Sequence, residues 1–154
     1  MAHSEEKANV ISTLYGGSGG SYWDDGLYYG VKTITLRFGR CIDSIAVEYH
    51  RKGEIITANK HGGDAGGDPE KIDVGPEEFI KTVSGYIGAA DWTPGKAIVI
   101  QSLKFESNIR SYGPYGEEKG EHFTFTVNEG EKISGFIGRG ATFLDAIGFH
   151  VIHT

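Results

Sequence analysis

Ile133-Ser134-Gly135-Phe136-Ile137-Gly138, near the end of the chain, restates Val83-Ser84-Gly85-Tyr86-Ile87-Gly88 from its middle. Both copies set aliphatic and aromatic residues around a Ser-Gly step and close on glycine. Glycine is poor in helices, while β-branched and aromatic residues suit strands. The pair therefore reads as a small sheet copied along the chain. Three glycine-rich loops keep a similar period: Gly16-Gly17-Ser18-Gly19-Gly20, Gly62-Gly63-Asp64-Ala65-Gly66-Gly67 and Gly113-Pro114-Tyr115-Gly116. Three apolar runs accompany them: Ile42-Asp43-Ser44-Ile45-Ala46-Val47, Ile100-Gln101-Ser102-Leu103-Lys104-Phe105 and Leu144-Asp145-Ala146-Ile147-Gly148-Phe149. Three sheets that each bury one face against the other two would hide their edges and share one core.

Working outward, Thr33-Ile34-Thr35-Leu36-Arg37-Phe38 alternates polar and apolar residues, as a half-buried strand does. A Gly39-Arg40 turn then leads into Ile42–Tyr49, which predicts a hairpin. Glu54–Ala58, Ala97–Ile100, Phe123–Val127 and Gly148–Ile152 read as further strands. Glu77–Tyr86 opens like a helical turn, but its β-branched end and the glycine beside it favour a strand. No segment sustains a 3.6-residue period, so the expected fold is all-β.

The chain of 154 residues is long enough for one domain with its own core. Residues 1–9 are polar and are expected to fray, leaving the domain over 10–154. The formal charge of −6 argues against nucleic-acid binding through a broad basic surface. No run approaches the ~18 apolar residues of a membrane span. No apolar core marks the N-terminus as a signal peptide, so the chain is expected to be cytoplasmic, with a truncated secreted precursor as the alternative. Cys41 is the only cysteine. It reads as a small apolar strand residue, or else as a reactive thiol or intermolecular disulfide partner. The six histidines are dispersed, and neither a metal nor another cofactor is expected.

Each apolar run places a polar residue directly after its opening aliphatic one: Asp43, Gln101 and Asp145. A glycine loop lets bare backbone N–H groups approach a ligand. A carboxylate accepts two neighbouring hydroxyls, and such charge-assisted bonds contribute roughly 1.5–3 kcal/mol. Together they point to a neutral sugar, bound at two copies and weakly or not at all where Gln101 and Tyr115 stand. A glycosidase would instead need two carboxylates ~5–10 Å apart in one cleft. Asp24-Asp25 and Glu117-Glu118 are adjacent pairs whose side chains diverge in extended chain, and they read as solvated turn residues. A structural interaction module with inactive sugar sites is the other alternative. Trp23, Tyr112 and Tyr115 either stack on sugar faces or pack within the protein.

From about Leu14 to His153 the chain resembles the jacalin-related lectins. The resemblance rests on Gly16–Gly20 with Trp23-Asp24-Asp25-Gly26, on Tyr112–Gly116, and above all on Ile133–Gly148. It implies a β-prism I fold, three four-stranded antiparallel Greek-key sheets with pseudo-threefold symmetry. It also implies glycan binding without catalysis, in a homodimer or higher homo-oligomer. The family's sugar site maps onto Gly20, Thr142, Phe143 and Asp145. The family's final loop reads Gly-x-x-x-Asp, and here Ala141 takes the glycine position. If that position has positive φ, alanine adds strain of order 1 kcal/mol. The literal motif occurs at Gly39-Arg40-Cys41-Ile42-Asp43, where some mannose-binding members have a second site. There Arg40, Cys41 and Asp43 would join Gly66 and Gly67, with Arg40 either adding a hydrogen bond or covering the pocket. Galactose-binding members are cleaved before the first glycine loop, whereas this chain runs through it from Tyr15. The resemblance thus implies mannose/glucose-type ligands.

Overall fold

A computed structural model describes residues 10–154, so the expectation for residues 1–9 lies outside the described residues. Its strands in chain order begin with β1 (Val10–Ile11), β2 (Tyr15–Gly16), β3 (Ser21–Asp24), β4 (Gly30–Phe38) and β5 (Ile42–Arg51). The middle of the chain forms β6 (Glu54–Thr57), β7 (His61–Gly62), β8 (Glu70–Asp73), β9 (Ile80–Ala89) and β10 (Ile98–Ser107). The last are β11 (Ser111–Gly116), β12 (Glu121–Thr126), β13 (Glu131–Gly140) and β14 (Leu144–His153). No helix occurs among the described residues.

Each sheet is built on one long hairpin: β4–β5, β9–β10 or β13–β14. In the sheet of the middle hairpin the order is β11-β10-β9-β12. The fourth strand returns beside the first, which is the Greek-key order. The other two sheets repeat it, except that their outer position is filled by two short segments. β6 and β7 both pair with β5, and β1 and β2 both pair with β14. These two sheets therefore count five strands where four were expected. In all three sheets the outer register slips by one residue, but only β11 runs through the slip unbroken. The sheet of β13 and β14 takes its outer strands from residues 10–24, so the first and last described strands meet in it.

Residues alternate faces along each strand, and the inward sets meet in one core. Tyr49, Phe105, Phe136 and Phe149 are fully buried at its centre, among Ile34, Leu36, Ile45, Ile100, Leu103 and Ile133. β13 lies between β14 and β3 and is buried on both faces over most of its length.

One hydrogen bond recurs in each unit and defines the equivalence. Gly17 N–H donates to the Asp145 carbonyl (2.8 Å), Gly63 N–H to that of Asp43 (2.9 Å), and Glu117 N–H to that of Gln101 (3.1 Å). The third loop is therefore Gly116-Glu117-Glu118-Lys119-Gly120. The sequence predicts it at Gly113–Gly116, but those residues belong to β11, which pairs with β10. The Asp24-Asp25 pair is also corrected. Asp25 is not solvated: its side chain is 2% exposed and accepts the Tyr49 hydroxyl at 2.6 Å, with His61 Nε2 equally close. Asp24 accepts the Gly26 N–H and faces His150 Nε2, both at 2.8 Å. Trp23 stacks on His61 at 3.7 Å, Tyr115 tilts against Phe38, and the Tyr112 hydroxyl donates to Glu78, so all three aromatic side chains pack within the protein.

Candidate functional site

The three loops open at one end of the prism, each over the polar residue of its own hairpin. In the main mouth that residue is Asp145, the second of β14, only 5% exposed. Gly20 lies directly above it with φ +68°, and a Cβ there would come within 2.9 Å of Asp145 Oδ1 and 2.6 Å of the Gly140 carbonyl carbon. Only glycine lets the backbone come this close. The bend between β13 and β14 supplies the other wall. There Ala141 N–H donates to the Phe143 carbonyl, while among the described residues no turn or loop bond engages the Thr142 or Phe143 amide. Ala141, Thr142, Phe143 and Asp145 border a depression of about 280 Å³, joined by Thr93 and Ala97 from the loop before β10. Among the described residues the non-glycine ones with positive φ are Lys52 and Lys96, so Ala141 brings no left-handed strain.

The second mouth repeats this construction. Asp43 is the second residue of β5 and is also 5% exposed. Gly66, with φ +93°, would place a Cβ 2.7 Å from Asp43 Oδ2. Gly67 N–H donates to the Phe38 carbonyl, and Gly39 N–H donates to that of Cys41, the counterpart of the Ala141–Phe143 bond. Cys41 is buried beside Ala90 and Val99, and burial pushes its thiol up to about 12, which fits an inert packing residue. Arg40 turns its guanidinium over the Trp92 ring, 5.2 Å from the centroid, so its side chain leans toward the third mouth. The two mouths abut, since Gly63 packs against the Thr142 carbonyl.

Electrostatics make both carboxylates receptive. Burial raises the Asp145 carboxyl above its ordinary value against the pull of Arg139, and burial alone raises Asp43. Among the described residues no side-chain donor bonds to either carboxylate, so their lone pairs are available to a ligand. Each floor can accept two adjacent hydroxyls while the loop backbone faces the remainder of a polar ring.

Arginine braces were not anticipated from the sequence. Arg139 Nε and Nη2 donate to the Gly19 and Gly20 carbonyls at 3.0 and 2.8 Å. Arg37 Nη1 donates to the Gly67 carbonyl at 2.9 Å. Each arginine precedes its floor aspartate by the same interval, which is the one sequence signal that pairs them. Gln101 occupies the third floor, where its Nε2 donates to the Ala89 carbonyl at 2.9 Å.

Three Greek-key sheets around a shared core, with glycine loops over buried acceptors at one end, define a β-prism of the carbohydrate-binding class. The profile of the "Jacalin-like lectin domain" matches residues 12–150, and the chain belongs to that family. It is 46% identical over 148 residues to jacalin-related lectin 19 of Arabidopsis thaliana, covering 96% of this chain and 82% of that one. It is 38% identical over 136 residues to a galactose-specific lectin of Morus indica, covering 86% and 83%. The chain spans 23% and 45% of two longer relatives. The solved structure of a mannose-specific jacalin-related lectin from Morus nigra, in complex with mannose, superposes with a TM-score of 0.89 at 36% identity over 99% of both chains.

Proposed function

We propose that this lectin binds mannose/glucose-type sugars at two mouths per chain, without catalysis, and presents them from a homo-oligomer. The observation that carries this reading is the pair Asp145 and Asp43. Each is a buried carboxylate without a donor among the described residues, beneath a glycine that no larger residue could replace. A neutral sugar with adjacent hydroxyls supplies the donors these floors lack. The mannose-bound relative favours mannose over the galactose of the Morus indica lectin. So does the unbroken first loop, in which Tyr15 pairs with Ile147 and stacks on Phe123 at 5.1 Å. A glycosidase needs two carboxylates across one cleft. Here each of the two aspartate floors has one, and Asp24 and Asp25 are engaged in internal bonds.

Shallow polar sites bind single sugars weakly, so strength comes from several acting together. The edge strand β1 exposes Val10 and Ile11 by 50% and 54%, a segment suited to pairing with a second copy. The test is calorimetry with methyl α-mannoside on the wild type, Asp145→Asn, Asp43→Asn and the double variant, with sedimentation for assembly. Two sites should fall to one in each single variant and to none in the double. A double variant that still binds mannoside overturns the reading. Wild type that binds no sugar favours the inactive interaction module.

A further inference from the structure

The third mouth holds a cavity of about 580 Å³, against about 280 Å³ for the depression at the main one. Arg40, Asp91, Trp92, Gln101, Glu117 and Lys119 line it, and the reading above leaves it unused. Its floor differs in kind. Gln101 is 2% exposed, and because Nε2 is tied to Ala89, its Oε1 is left buried with no partner. A buried acceptor without a donor is a deficit that a ligand hydroxyl can fill.

Charge differs as well. At the other two mouths a buried carboxylate repels any anion that enters, whereas the Gln101 amide does not. The rim brings two cations. Lys119 lies 3.3 Å from Glu117, and Asp91 shares the wall. Arg40 rests on Trp92, and among the described residues no carboxylate lies within ion-pair distance of it. A planar guanidinium held against a ring is prepared to take a carboxylate through two parallel N–H bonds. We propose that the third mouth binds a hexuronate, a pyranose with a carboxylate at C6. Its carboxylate pairs with Arg40, a ring hydroxyl donates to Gln101 Oε1, and the sugar body lies against Trp92. The prism then reads two sugar chemistries, neutral at the aspartate floors and acidic at the amide floor.

The experiment uses the intact wild-type chain saturated with methyl α-mannoside, titrated with methyl β-D-glucuronide and followed by backbone amide NMR. Glucuronide should shift Gly88, Trp92, Gln101 and Gly120. Methyl β-D-glucoside, which carries a C6 hydroxymethyl in place of the carboxylate, should bind there at least about tenfold more weakly. Added salt should weaken the glucuronide. Gln101→Glu keeps the side-chain size and returns an anion to the floor. It should lower glucuronide affinity by about tenfold or more while mannoside binding is unchanged, which also certifies the fold. Absent shifts, equal binding of glucoside, or undiminished binding by the Glu variant each overturn the proposal. Failure of mannoside to bind strikes the previous reading alone, because the third-mouth shifts are read separately.

Discussion

Arg139 reaches back across almost the whole chain to donate a 2.8 Å hydrogen bond to the Gly20 carbonyl, and a second bond to Gly19. A loop rich in glycine has little intrinsic shape, because glycine loses more freedom on ordering than any other residue. The guanidinium supplies that order from β13, a strand buried on both faces.

Arg139→Ala should therefore loosen the first loop without disturbing the core. We expect methyl α-mannoside affinity at the main mouth to fall about tenfold, the weight of one or two charge-assisted bonds used for positioning. Titration calorimetry checks this, with Arg37→Ala as the matching change at the second mouth. An Arg139→Ala chain that binds as tightly as wild type would show that the loop holds itself.

Asp145→Asn should separate binding from stability. The ionised carboxylate is buried with no donor, a condition that costs the unliganded fold at neutral pH. Replacing it by a neutral group of the same shape should leave the melting temperature equal or higher while main-mouth binding disappears. A marked fall in Tm would mean that Asp145 has a structural role.

Binding should also fail in acid sooner than an exposed carboxylate would dictate. Burial raises both Asp145 and Asp43 above their ordinary value of 3.8. A protonated carboxyl accepts poorly, so affinity should be complete at neutral pH and decline as the pH falls through the raised values. The stability contribution of these groups has the opposite sign. The folded chain keeps protons that the unfolded chain has released, so the two floors lower stability as pH rises from 3.8 through the raised values. Mannoside titrations from pH 7 downward check the first statement. A midpoint at or below 3.8 contradicts it.

Tyr49→Phe tests the join between sheets. The Tyr49 hydroxyl donates to Asp25 and accepts the Phe136 N–H at 3.0 Å. Its loss leaves a buried amide unpaired and deprives a buried carboxylate of a donor, at a cost of about 1–3 kcal/mol. Chemical denaturation should show that loss, with mannoside affinity little changed in the protein that remains folded.

Part of this architecture was legible because Thr33–Phe38 alternates polar and apolar residues and the Gly39-Arg40 turn leads into a second apolar run, and β4 and β5 follow. The two-residue strands β1, β2 and β7 have no periodicity to read; they exist because a neighbour offers them backbone partners. Gly113–Gly116 looked like a loop by composition, but pairing with β10 holds it in β11. Asp25 looked solvated because its partner Tyr49 is supplied by another sheet, and nothing beside it in the chain announces that contact. The floor residues Asp43 and Asp145 were visible as a repeated pattern. The bracing roles of Arg37 and Arg139 required geometry, since an arginine near a motif has many uses.

The sheet that holds Asp145 joins strands from residues 10–24 to strands from residues 131–153, whereas the hairpin sheet of Asp43 spans residues 30–73 alone. The strands of the second mouth's sheet are therefore contiguous in sequence, whereas the main mouth has no floor until β14 has joined strands drawn from residues 10–24.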